Sequence, residues 1–189
     1  IRAIRTLLRR IRYRRSANGQ SFPYGKVRNR AMSVLERTDG IDCAFVTFNQ
    51  FWGDLGDNAS RADTDSRMAA RERYIHNMIQ SDYVLCVRGA GNFSMRLYET
   101  LCMGRIPLLI DSDSVFPFDD TLSWGEFSLK VPYNEIGALG QHVVDFHRTL
   151  SGSDFEALQR HCRQVWLEHL SPHGFFRELS QSYLQRQTS

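Results

Sequence analysis

Residues 83–111 read YVLCVRGAGNFSMRLYETLCMGRIPLLID, and this stretch decides the fold. It opens on an apolar run, Tyr83 to Val87, of the kind buried in a parallel sheet. The loop Arg88-Gly89-Ala90-Gly91-Asn92-Phe93 follows, and the pattern then predicts a helix over 94–103. Gly104 stands where a helix would stop, and a second apolar run, Ile106 to Ile110, completes a βαβ unit. Glycines in the loop let a backbone come close to a ligand, and the first helical turn offers N–H groups without internal partners. Together they form a site for an anion such as a phosphate, with Arg88 and Arg96 adding fixed positive charge on either side. The expected function is to hold a phosphorylated small molecule at the C-terminal end of a parallel sheet.

Outward from that unit, helices and strands alternate. On the N-terminal side the pattern predicts a helix over 26–37, a strand over 41–48, an Asp-, Asn- and Gly-rich loop over 49–63 and a helix over 64–80. On the C-terminal side come an irregular segment with Phe116-Pro117-Phe118 and Trp124, and a strand over 127–131 stopped by Pro132. Helices over 134–150, 154–170 and 175–186 complete the chain. The alternation predicts an α/β fold, a Rossmann-like parallel sheet with helices on both faces. Residues 1–19 read as a basic helix or connector with Ile1, Ile4, Leu8 and Ile11 on one stripe, and residues 20–189 as one α/β domain.

Bulk properties narrow the function. The first 15 residues carry seven arginines and no acid, so a net charge of +3 leaves the other 174 residues at −4. A mildly acidic body with one local basic segment argues against nucleic acid as a partner. The basic segment is a solvated connector, or else a contact for an anionic glycan or an acidic lipid surface. No run approaches the ~18 apolar residues of a membrane span. The chain starts at Ile1 rather than Met, so a fragment of a longer protein is expected. Four cysteines (Cys43, Cys86, Cys102, Cys162) lack metal-ligand spacing and read as small buried thiols. Reduced cysteines point to the cytoplasm; a signal anchor upstream would point instead to the Golgi lumen. Asn58-Ala59-Ser60 and Asn92-Phe93-Ser94 match the glycosylation tripeptide, a pattern frequent by chance.

Several motifs admit more than one reading. Gly89-x-Gly91-x-x-Ser94 is similar to a dinucleotide fingerprint with serine for its third glycine, and Asp111 ends the next strand where a ribose-binding carboxylate would sit. This keeps an NAD- or FAD-dependent oxidoreductase domain in play. Against it, the third glycine normally lets helix pack on sheet, and an earlier strand–helix unit precedes this one. Arg96 and Glu99, three apart, share a helix face. They form either a surface ion pair worth about 0.3–0.5 kcal/mol or a nucleotide site, arginine on the diphosphate and carboxylate on the ribose. Asp111-Ser112-Asp113 is spaced as a metal-binding Asp-x-Asp would be, though two acids in a loop are common. The six histidines pair with no Ser or Cys nucleophile, and Trp124 with Phe116 to Phe118 reads first as core.

Taken as a set, Arg88-Gly89, Ser94-x-Arg96-x-x-Glu99, Gly104-x-Ile106-Pro107, Pro117-Phe118 and Trp124 resemble the exostosin-type glycosyltransferases over roughly residues 64–150. The resemblance implies the C-terminal, nucleotide-sugar-binding half of a GT-B fold. It also implies a UDP-sugar donor, a glycan acceptor, inverting transfer and no cofactor or obligatory metal. Carried over by position, Glu99 binds the ribose, and Arg88, Arg96 and the backbone of Gly89, Gly91, Asn92 and Ser94 hold the diphosphate. The acceptor-binding N-terminal domain of the same protein, with the general base, is expected outside this chain, so no catalytic residue is assigned. A non-catalytic partner-binding module of the same shape remains a third reading.

Overall fold

The structure, a computed structural model, describes residues 23–46, 64–89 and 91–187. Within them the helices are α1 (Tyr24–Glu36), α2 (Thr64–Ile79), α3 (Met95–Cys102), α4 (Leu139–Arg148), α5 (Gly152–Val165) and α6 (Pro172–Gln187). The strands are β1 (Tyr83–Cys86), β2 (Ile106–Asp111) and β3 (Leu129–Pro132). The basic segment over 1–19, the predicted strand's end at 47–48 and the loop over 49–63 lie outside the described residues, as does Ala90.

Among the described residues the sheet has three parallel strands in the order β1-β2-β3. Tyr83 faces Ile106 and Cys86 faces Leu109 across the first pair; Leu108 faces Leu129 and Asp111 faces Pro132 across the second. β2, in the middle, is buried from Ile106 through Ile110, as an apolar run without alternation requires. Its neighbours sort onto two faces. Val84, Cys86 and Leu109 meet Leu97 and Leu101 of α3, Cys162 and Val165 of α5, and the plugs Trp124 and Phe127. Val87, Leu108, Ile110 and Val131 meet Val27, Ala31 and Leu35 of α1 and Leu139 and Val143 of α4. Helices therefore cover both faces, and the fold is the Rossmann-like α/β sheet that the sequence predicts.

Local chemistry fixes the ends of the elements. α3 closes in a Schellman motif: Arg105 N–H donates to Thr100 O (3.0 Å) and Gly104 N–H to Leu101 O (3.0 Å). Gly104 has φ +62°, and a Cβ there would stand 3.3 Å from both Arg163 Cβ and Gln159 O, so glycine is required twice over. Gly140 is required by proximity alone, because a Cβ would overlap the Thr38 side chain. α5 begins with a capping box: Ser151 Oγ accepts from Asp154 N (3.2 Å) and Asp154 Oδ2 accepts from Ser151 N (3.3 Å).

Three sequence expectations are revised. The expected strand over 41–48 is unpaired at residues 41–46, although Ile41, Cys43 and Phe45 alternate onto the core as a strand would. The Ala44 carbonyl is taken instead by Asn77 Nδ2 of α2 (2.7 Å). The helix expected over 134–150 begins as a 3-10 segment, Tyr133–Ala138, before α4. The helix expected over 154–170 loosens into a π turn, Trp166–Leu170, whose last buried residue is Leu170.

Candidate functional site

The C-terminal ends of β1 and β2 carry the Arg88–Ser94 loop and the segment after Asp111, with α3 rising from the first of these. Arg88 stands two residues past the end of β1 and is only 6% exposed. Its Nη1 donates to Asn92 Oδ1 (3.1 Å) and to the Ser112 carbonyl (3.2 Å), so it ties the two loops together. The sequence assigns the Arg88 side chain and the Asn92 backbone to a diphosphate; the structure engages the Arg88 side chain with the Asn92 side chain. Gly89 N–H donates to Phe93 O (3.3 Å), which tightens the loop. A Cβ on Gly89 would meet nothing within 4 Å, whereas one on Gly91 would stand 3.0 Å from the Phe93 ring. Neither glycine has a positive φ. The exposed Phe93 ring crowds Gly91, and among the described residues packing gives no reason for Gly89.

Ser94 occupies the N-cap of α3 without a side-chain capping bond. The Ser94 carbonyl accepts from Leu97 N–H (3.2 Å), while the Ser94 side chain answers none of the first-turn N–H groups at the positive end of the helix dipole. Arg96 and Glu99 follow on the same helix, Arg96 exposed and Glu99 half-buried. Among the described residues no ion pair joins them. Tyr74 of α2 stands with both instead. Its hydroxyl donates to Glu99 Oε2 at 2.5 Å, and the Arg96 guanidinium lies over its ring, 5.2 Å from the centroid. Burial and, after it, the Glu99 hydrogen bond push the Tyr74 phenol up to about 12, against the opposing pull of the Arg96 charge. Tyr74 therefore stays a proton donor throughout the neutral range.

Positive charge gathers at this corner. Arg28 of α1 keeps an exposed surface, yet protein atoms around its guanidinium desolvate it and the nearby Arg96 charge repels it, both lowering its pKa. The Cys86 thiol beneath is pushed up to about 12 by burial. It accepts or donates with Thr100 Oγ1 at 3.6 Å and behaves as core rather than as a nucleophile. Cys162 is buried too, Cys43 and Cys102 half-buried, and all four thiols are free.

The alternative motifs are engaged elsewhere. Asp111 Oδ2 pairs with Lys130 Nζ at 2.9 Å, and its Oδ1 accepts from Asp113 N at 3.2 Å, so the carboxylate considered for ribose or metal is already held. Asp113 adopts φ +60°, a turn conformation. Among the described residues no group of three or more His, Cys, Asp or Glu is arranged to hold a metal ion. Trp124 is core, stacked on Phe116 at 4.7 Å and donating from Nε1 to Pro117 O at 3.3 Å. His142 pairs with Glu135 at 2.9 Å and His147 with the Tyr83 hydroxyl at 2.9 Å, neither beside a nucleophile.

Sequence reasoning missed Tyr74. The available signal is that Tyr74 and the buried Met78 lie four apart, on the inward face of α2, where a phenol needs a partner for its hydroxyl.

Fold and site define a class: a Rossmann-like domain with arginine, carboxylate and an uncapped helix at the strand C-termini. The exostosin GT47 domain model matches residues 30–145. The chain belongs to that family, which the match carries back into α1, further than the motif resemblance reached. A probable glycosyltransferase of Arabidopsis thaliana is 35% identical over 72 residues, 38% of this chain and 15% of its own length. A probable glucuronoxylan glucuronosyltransferase of the same plant is 32% identical over 74 residues, 38% of this chain and 16% of its own length. The Exostosin-1 homolog of Caenorhabditis elegans is 28% identical over 123 residues, 64% of this chain and 32% of its own length. The chain thus spans a third or less of the length of these relatives.

Proposed function

We propose that this chain is the donor-binding domain of an inverting, metal-independent glycosyltransferase that moves a sugar from a UDP-sugar to a glycan acceptor. One observation carries the reading: Arg96 and Glu99 share the first two turns of α3, beside an uncapped helix N-terminus, without neutralising each other. In this arrangement the Arg96 guanidinium and the first-turn N–H groups receive the diphosphate, and the Glu99 carboxylate accepts hydrogen bonds from the ribose hydroxyls. The open space at Gly89 lets the backbone approach the phosphates.

The chemistry suits such a site. When the bond between the anomeric carbon and the phosphate oxygen breaks, negative charge collects on the departing diphosphate. Preorganised cations and helix N–H groups stabilise that charge where it develops. The acceptor hydroxyl and its general base belong to the upstream half of the whole protein. Plant relatives named as glucuronosyltransferases make UDP-glucuronic acid the first donor to try.

The test is a thermal melt with UDP, since a ligand that binds only the folded state raises the melting temperature. A rise with UDP that Glu99→Ala diminishes is expected, with inorganic diphosphate acting equally on both proteins. Absence of any shift at millimolar UDP, or a shift with NAD in its place, would overturn the reading.

A further inference from the structure

We infer that Tyr74 is a positioning residue for the donor site, keeping Arg96 and Glu99 apart and oriented before a nucleotide arrives. This rests on the nucleotide reading above and adds to it a residue that acts through two others. Arginine and glutamate three apart on a helix ordinarily meet each other. A direct pair here would neutralise both charges, and a ligand would first have to break it. Tyr74 reaches in from α2, anchored among the core residues around Met78. Its hydroxyl occupies Glu99 Oε2, which leaves Oε1 for a ligand donor. Its ring receives the Arg96 guanidinium, and a guanidinium held over an aromatic face keeps its in-plane N–H donors for a planar anion. Glu99 meets the hydroxyl alone, while Arg96 lies over the ring and also acts on the phenol oxygen as the weaker influence there, so removing the hydroxyl falls mainly on Glu99 and removing the ring falls on both.

The prediction follows from that separation. Tyr74→Phe keeps the ring and loses the hydroxyl, so UDP binding weakens about 10-fold while inorganic diphosphate binding is unchanged. Tyr74→Leu loses both and lets Arg96 fall onto Glu99, so both ligands bind about 10-fold more weakly. Isothermal titration of the full chain with each ligand reads these changes, and matched melting curves without ligand show that each variant is folded. A ligand-free measurement tests the contact itself. In NMR of carbon-labelled tyrosine, Glu99→Gln lowers the Tyr74 titration midpoint, because the carboxylate that receives its proton is gone.

Wild-type affinity for UDP in Tyr74→Phe would overturn the inference, as would a Tyr74 midpoint indifferent to Glu99→Gln. Equal losses for UDP and diphosphate in Tyr74→Phe would also overturn it, since general loosening rather than oriented Glu99 would then explain both. Should wild-type protein bind no UDP, the nucleotide reading falls, and the donor-site role of Tyr74 falls with it whatever the NMR midpoint shows.

Discussion

The two ends of α3 are built from similar residues and finished in opposite ways. Each has a glycine and an arginine close by, yet the C-terminal end is internally complete. Gly104 closes the Schellman motif, its missing Cβ makes room for α5, and the Arg163 guanidinium donates to the Cys102 carbonyl while lying 4.7 Å from the Trp166 ring centre. Among the described residues, at the N-terminal end Ser94 caps nothing with its side chain, Gly89 faces open space, and Arg96 meets an aromatic ring rather than an acid. A glycine that packing explains is a structural residue. One that packing among the described residues leaves unexplained, beside an arginine held by no acid, is where the proposed donor would approach.

That contrast is open to attack at four points. The largest effect is expected for Gly104→Val, which forces a β-branched residue to φ +62° against α5. A loss of about 2–3 kcal/mol in urea unfolding is expected. Arg163→Met removes a cationic donor from the last carbonyls of α3 and should cost about 1–2 kcal/mol in the same assay. Next comes a pair of cap serines. Ser151→Ala removes a working capping box and should cost about 1 kcal/mol, whereas Ser94→Ala should change stability by less than about 0.5 kcal/mol. A Ser94 loss as large as that of Ser151 would erase the distinction between the two helix starts. The smallest stability effect belongs to Gly89→Ala, within about 0.5 kcal/mol of wild type, yet this variant should lose UDP affinity in titration. Full affinity there would break the comparison at its open end.

Much of this was legible in the sequence, for reasons that differ by element. The βαβ unit is local: a five-residue apolar run, a helix with Leu97 and Leu101 on one face, and a glycine stop. The exostosin family was legible because its motifs are spread over that same unit and the segment just after it. The segment over 41–46 misled because alternation reports which side chains face the core, not which backbone groups pair. Asn77, 33 residues away, takes the Ala44 carbonyl, and no local pattern announces that. Arg88 reads as a cation for the diphosphate, and its bond to a carbonyl 24 residues on, in the loop after β2, has no local signal. Tyr74 escaped notice for the same reason, since its partner Glu99 is 25 residues distant. Sequence periodicity reaches the residues that build the site; which of them are already engaged is settled by contacts between elements.

One feature of β3 bears on how the molecule behaves in a crowd. Among the described residues this strand is an outer edge of the sheet, and two of its four residues are Lys130 and Pro132. Proline offers no N–H to a newcomer, and the exposed lysine, partly held by Asp111, would have to be stripped of water by any strand laid alongside. Among the described residues, the edge that could template runaway self-association is thereby blunted by two residues.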